Sequence, residues 1–282
     1  MKTGLVLEGG AMRGMFTAGI LDVFMENGIT FDGMAGVSAG AAFGCNLKSG
    51  QRGRAIRYNL RFANNKEFCS IKSLIKTGDL YGGEFCYHTV PDKLDIFDKD
   101  AFEKSPMKFY VVCTDVETGK AVYHDMTKVD YTELEWMRAS GSLPLAAKIV
   151  EVNGRKLLDG GIADSIPLLF MEKQGYDKNL VILTRPRDYV KQPTSSLSLI
   201  KLMYRKYPEL IKAVETRHKM YNNQLKYVRK SENEGKALVL APDTALPVKR
   251  VEHDTDALQE AYRIGRKTAM DNLEKVKAFI SE

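Results

Sequence analysis

The first forty residues restrict the fold more than any other part of the chain. Leu5 to Glu8 is a short apolar strand that runs into Gly9-Gly10-Ala11-Met12-Arg13-Gly14. A helix follows from Met15 to about Asn27, with Phe16, Ile20, Val23 and Phe24 on one face. Asn27-Gly28 is a stop signal. Ile29 to Met34 reads as a second short strand, leading into Ala35-Gly36-Val37-Ser38-Ala39-Gly40. Strand, loop, helix, strand is a βαβ unit, and such a unit requires a parallel sheet covered by helices. The chain is therefore expected to be α/β, a three-layer α/β/α sandwich with a mostly parallel central sheet.

Gly36-Val37-Ser38-Ala39-Gly40 is a G-x-S-x-G at a strand-to-helix turn. A serine there holds a strained backbone so that its hydroxyl projects into a site, and side chains two positions away on either side would collide. Ala39 to Leu47 is helix-forming, so Ser38 sits at a helix N-terminus that favours developing negative charge. The structural alternative is a small-residue turn built for close helix packing.

The rest of the chain continues the pattern. Gln51 to Asn64 reads as a helix and Thr77 to Gly83 as a loop. Lys108 to Asp115 is a buried strand, with Lys120 to His124 returning beside it as a hairpin. Tyr131 to Ser140 is a helix carrying the single tryptophan. Lys148 to Val152 and Arg155 to Leu158 form a hairpin on Asn153-Gly154 that runs into Asp159-Gly160-Gly161. Asn179 to Thr184 is another buried strand, and Ala237 to Ala241 reads as one more. Pro193 to Ser198 is loop-like. From Pro208, the residues Leu210, Ile211, Val214, Tyr221, Leu225 and Val228 fall at helical spacing, and Ala257 to Ile280 closes the chain as helix.

Two stretches compete for a role beside Ser38. Gly9-x-Ala11-x-x-Gly14 has the placement of a dinucleotide loop, but alanine replaces the middle glycine and the second strand ends in the serine turn without an acidic residue for a ribose. The same backbone, with the N–H groups of Gly9, Gly10 and Ala11 aimed at one point, suits an oxyanion hole. Asp159 follows a strand and precedes two glycines, which places its carboxylate at an exposed edge as a candidate general base; an ordinary surface turn is the alternative.

Gly-Gly-Ala-Met-Arg-Gly, Gly-Val-Ser-Ala-Gly about 25 residues later and Asp-Gly-Gly beyond residue 150, with Arg138-Ala139-Ser140-Gly141-Ser142-Leu143-Pro144 ahead of it, resemble the patatin-like phospholipase family over roughly residues 3 to 185. The resemblance implies a catalytic dyad of Ser38 and Asp159 in a patatin-like catalytic domain, residues 1–185. It also implies an oxyanion hole from Gly9, Gly10, Ala11, Met12, Arg13 and Gly14, a nucleophile elbow at Gly36, Val37, Ala39 and Gly40, and an Asp-Gly-Gly motif completed by Gly160 and Gly161. The family's loop usually has glycine where this chain has Ala11. The implied activity is hydrolysis of carboxylic esters of lipids, with no cofactor and no metal. Residues 186–282 lie outside the resemblance and are expected to form a basic, mainly helical extension packed on the core.

Other readings remain open. A Ser…Asp…His order exists through His253, although His253 sits among acidic residues outside the motifs, and only one strand and one helix precede Ser38 where an ordinary α/β-hydrolase places several strands. A catalytically idle lipid-binding or scaffold protein, and a nucleotide-binding protein, are the alternatives from other classes.

Composition bears on partners and compartment. Arg185 to Lys230 holds twelve Lys/Arg against three Asp/Glu, a local +9, while the whole chain is +6 and the remainder therefore −3. The basic helix around Lys212 to Lys230 fits an anionic membrane or simply a solvated face; nucleic acid is not the expected partner. Cys45, Cys69, Cys86 and Cys113 are scattered without C-x-x-C, and His88, His124 and His218 are isolated, so reduced core thiols and no metal are expected. No run reaches the ~18 apolar residues of a membrane span, and the N-terminal apolar run is too short for a signal peptide, which together predict a cytoplasmic protein, in peripheral contact with membrane if the basic helix docks there.

Overall fold

The computed structural model describes residues 1–281. Eight strands form one sheet: β1 (Thr3–Leu7), β2 (Gly33–Val37), β3 (Lys108–Asp115), β4 (Ala121–Asp125), β5 (Val150–Val152), β6 (Arg155–Asp159), β7 (Lys178–Ile182) and β8 (Ala237–Leu240). The order is β5-β6-β3-β2-β1-β7-β8, with β4 also on β3. The run β3-β2-β1-β7-β8 is parallel, while β4, β5 and β6 pair antiparallel, so the sheet is mixed with a parallel centre.

Strand alternation assigns the faces. Leu5, Leu7, Met34, Leu180 and Ile182 pack into one apolar cluster, and their neighbours Val6, Ala35, Val181 and Leu183 into the opposite one. A sheet apolar on both faces needs a helical layer on each. The first layer holds α1 (Gly14–Glu26), α2 (Ala39–Lys48), α3 (Arg54–Phe62), α4 (Ile71–Thr77), α5 (Lys99–Lys104) and α6 (Tyr131–Ser140). The other face is covered by α7 (Leu168–Lys173) and, after α8 (Leu197–Met203), by the 26-residue α9 (Pro208–Asn233), whose Tyr221, Leu225 and Val228 are buried there. The chain then returns to the first face. In α10 (Thr255–Asp271), Tyr262 donates its hydroxyl hydrogen to Asp22 at 2.7 Å and Arg266 clasps Glu26, both on α1. The short α11 (Leu273–Ser281) follows.

Most expected elements are present, and the departures have local causes. The second strand is Gly33–Val37, four residues later than expected, because Ile29 and Phe31 are buried from the approach to the strand, where Asp32 caps the first strand by accepting from Thr3 N–H at 2.7 Å. The helix expected from Gln51 begins at Arg54, after Gly53 in a left-handed conformation. Ser198, placed in a loop from its polar neighbours, already lies in α8. The π-helical stretch Phe85–Leu94 and the short helices α4 and α5 lack the periodicity that reveals a long amphipathic helix.

Candidate active site

Register brings the serine turn and the Asp-Gly-Gly motif together. Along β3, residues 110–112 pair with β2 and β4 at once, and residues 113 and 114 with β4 and β6 at once. A strand has two edges, so β2 and β6 must share the edge opposite β4. They approach it from opposite directions: Val37 pairs with Val112, and Asp159 with the next residue, Cys113. The C-terminal ends of β2 and β6 therefore meet head-on, and Ser38 and Asp159 emerge side by side.

Ser38 has φ 55 and ψ −121, a strained backbone for a residue with a Cβ. The neighbouring glycines are required by space. A methyl on Gly36 would sit 2.7 Å from the backbone of Ala41, and one on Gly40 would sit 2.4 Å from the Leu7 carbonyl oxygen. The turn is held from behind by Ser140, whose Oγ accepts from Ser38 N–H at 2.8 Å and donates to Val112 O at 2.6 Å. Ser38 caps α2, with its carbonyl accepting from Ala41 and Ala42 N–H.

Asp159 is 3% exposed. Burial pushes its carboxyl above the ordinary aspartate range, against the opposing pull of the Arg217 guanidinium, of a hydrogen bond from Gly161 N–H at 2.7 Å and of the nearby Ser38 hydroxyl. A methyl on Gly160 would meet the Val112 carbonyl oxygen at 2.1 Å, and one on Gly161 would lie 2.9 Å from Arg217 and 3.0 Å from the Asp159 carboxylate. Gly160 thus lets the motif pack against β3, and Gly161 makes room for the aspartate and Arg217.

The glycine loop closes the third side. Gly9 lies against the serine turn so tightly that a methyl there would sit 2.8 Å from Val37 O and 2.9 Å from Ser38 Cβ. Ala11 takes a positive φ of 50, the conformation a glycine would adopt without cost. Met12 is buried, Arg13 N–H donates to Gly10 O, and Gly14 opens α1. Among the described residues, no backbone carbonyl accepts from the N–H groups of Gly9 or Gly10. They flank the cavity that Ser38 and Asp159 line.

Two cavities meet at Ser38. A large one of about 650 Å³ is lined mainly by apolar side chains, among them Phe43, Tyr58, Phe68, Leu134 and Met137. A small polar one of about 50 Å³ is lined by Ser38, Asp159, the glycine loop and the charged side chains of Glu8, Arg13, Lys191, Arg217 and Arg250. Arg217 donates from Nε to Gly161 O at 2.6 Å, and the Glu8 carboxylate accepts from Tyr221 Oη at 2.6 Å and Thr184 N–H at 2.6 Å.

Lys191, Arg217 and Arg250 carried no motif in the sequence. For Arg217 a signal existed. It fills the gap between Val214 and Tyr221 in the apolar stripe of α9, so a cation stands on the buried face. The basic excess of residues 185–230 is accordingly divided between the solvent and the site. His253 is exposed, its Nδ1 hydrogen-bonded to Ala63 O at 2.5 Å, and it lines neither cavity. His88 and His124 pair with Glu135 and Glu133. The four cysteines are free, and no metal-ligating cluster occurs among the described residues. No helix among them is long and apolar enough to cross a membrane.

A family model described as "Patatin-like phospholipase" matches residues 5–171, and one described as a domain of unknown function matches residues 207–281. The chain is 28% identical over 278 residues to the "Uncharacterized protein YjjU" of Escherichia coli, covering 94% of this chain and 75% of that protein. It is 28% identical to the "Uncharacterized NTE family protein Mb1092c" of Mycobacterium bovis, over 59% of this chain and 44% of that protein. It is also 28% identical to the "Lysophospholipase nte1" of Aspergillus niger, over 62% of this chain but only 11% of that much longer protein. Among solved structures, VipD from Legionella pneumophila aligns with 97% of this chain and 67% of its own, at 12% identity and a TM-score of 0.46.

Proposed function

The chain belongs to the patatin-like phospholipase family, and we propose that it is a serine hydrolase that cleaves carboxylic esters of lipids through Ser38 and Asp159. The observation that carries the reading is Ser38 placed beside the buried Asp159 carboxylate, in one polar cavity with the glycine loop and at the mouth of a large apolar cavity. The fungal relative named a lysophospholipase supports a lipid substrate.

In this mechanism Asp159 takes the Ser38 proton as Oγ attacks the ester carbonyl. The N–H groups of Gly10 and Ala11, with Gly9 beside them, stabilise the oxyanion, and the acyl chain lies in the 650 Å³ cavity. The alcohol leaves with the proton held by Asp159. Asp159 then activates water to hydrolyse the acyl-enzyme. An aspartate at its ordinary pKa near ~3.9 is a weak base, and burial improves the match. No cofactor takes part.

Residues 1–185 form the catalytic unit in this reading and 186–282 an extension packed on it, in a cytoplasmic enzyme that meets bilayers peripherally. Leu199, Leu202 and Met203 on α8 are exposed beside Lys201, next to Ile200 and Ser196 at the large cavity, and support contact with an anionic surface. Sedimentation with anionic and neutral vesicles at low salt tests the contact; equal binding rules it out.

The activity itself is tested by hydrolysis of short and medium p-nitrophenyl esters. Wild type should turn over, and Ser38→Ala and Asp159→Asn should each lose about 10³-fold or more in kcat. A wild-type protein inert on every ester and lipid would favour a lipid-binding scaffold instead.

A further inference from the structure

The small cavity beside Ser38 carries more positive charge than the hydrolytic reaction uses. Arg13, Lys191, Arg217 and Arg250 line it, against the two carboxylates of Glu8 and Asp159. Glu8 is already occupied by the Tyr221 hydroxyl and by the N–H and hydroxyl of Thr184. Among the described residues none of the four cations is in an ion pair. Arg13 Nε is buried without a hydrogen-bond partner. Four cations against two carboxylates leave an excess of positive charge in a partly buried space, which desolvation and mutual repulsion both oppose.

We propose that this cavity is the binding site for the phosphate of an acylated phosphomonoester, which makes esters carrying a phosphate close to the scissile bond the preferred substrates. The placement supports the assignment. Ala11, Ser38, Leu143, Lys191, Arg217 and Arg250 line both cavities. An ester at Ser38 can therefore extend its acyl chain one way and a charged group the other. At about 50 Å³ the cationic cavity has room for roughly three or four water-sized groups, the scale of a phosphate and too little for a bulky head group. Several of the segments that carry these cations are tied down. Lys191 exchanges two backbone hydrogen bonds with the Asn222 side chain and lies 4.7 Å from the Tyr221 ring; Arg217 is held by Gly161 O; and Arg250 O accepts from Tyr81 Oη at 2.8 Å. Repulsion acts within the group as well. Burial, with Arg217 next, lowers Lys191 to about 8, and burial, with Arg185 and then Arg250 contributing, lowers Arg13 to about 10. An anion relieves both.

The inference rests on the acyl-hydrolase reading for the identity of the ester, so it is tested by binding to Ser38→Ala, which needs no turnover. Calorimetry compares 1-hexanoylglycerol 3-phosphate, 1-hexanoylglycerol and inorganic phosphate. The phosphate ester should bind at least 10-fold more tightly than the neutral ester. It should also bind more tightly than inorganic phosphate, which should compete with it. The preference should collapse in Lys191→Gln/Arg250→Gln on the Ser38→Ala background, with the Tm of that protein confirming the fold. Equal binding of the two esters overturns the proposal, as does a preference that survives the double substitution. Inorganic phosphate binding as tightly as the phosphate ester overturns it too, by assigning the cavity to a free anion. A hydrolase that shows no phosphate preference would fail here alone, whereas a phosphate-selective protein that no serine-directed reagent labels would fail only as an enzyme.

Discussion

Ser140 accepts the backbone N–H of Ser38 at 2.8 Å and donates its own hydroxyl hydrogen to Val112 O at 2.6 Å, so a fully buried side chain bridges the serine turn and β3. Ser38 is kept at its positive φ from outside the turn, by a residue more than a hundred positions away in sequence. Ser140→Ala leaves a buried N–H and a buried carbonyl oxygen without that partner. It should cost about 1–3 kcal/mol of stability. It should also lower kcat by about 10- to 100-fold through displacement of the nucleophile. Denaturant unfolding and ester kinetics on the same preparation check both figures; a variant with wild-type kcat would show that the bridge does not position Ser38.

Glycine is required at position 9 and merely absent at position 11. Gly9→Ala drives a methyl into Val37 O and Ser38 Cβ, so activity should fall by at least about 100-fold even where the protein folds. Ala11→Gly relieves the positive φ, and it should keep activity within a few-fold and stability within about 1 kcal/mol, because lost strain and added unfolded-state entropy oppose each other. Paired kinetics and Tm measurements distinguish the two positions.

The acid limb of kcat/KM should report Asp159. Its carboxyl is raised by burial, so the basic form is lost as pH falls through a value above the ordinary ~3.9. The same shift has a sign for stability. A carboxyl whose folded pKa exceeds its unfolded one destabilises the fold at pH above both values, and that cost vanishes below the unfolded value. Asp159→Asn should therefore be inactive yet melt at a higher temperature than wild type at pH 7, and show no such gain at pH 3.

His253 faces Ala63 O at the surface and not Ser38. His253→Ala should keep kcat/KM within about 2-fold and leave the shape of its pH profile unchanged. Loss of activity in this variant would point to a triad.

The glycine loop, the serine turn and the Asp-Gly-Gly motif were legible in the sequence because each is a local steric solution: Gly36, Gly40 and Gly160 stand where a methyl would strike backbone. What joined them was legible only as a resemblance. The head-on meeting of β2 and β6 on one edge of β3 is a matter of register across some 120 residues, and no short-range pattern encodes it. The cationic cavity was hidden for a similar reason. Arg13, Lys191, Arg217 and Arg250 come from four separate segments, and within a basic stretch Arg217 looks like its solvated neighbours until its place on the buried stripe of α9 is counted. The start of β2 was misplaced because Ile29 and Phe31 are buried without belonging to the sheet.

The most direct test of the central claim is labelling by a serine-directed fluorophosphonate, followed by peptide mass spectrometry. The account predicts a single adduct on Ser38, absent in Ser38→Ala and at least about 100-fold slower to form in Asp159→Asn. An unlabelled wild-type protein, or an adduct on any other serine, would contradict it.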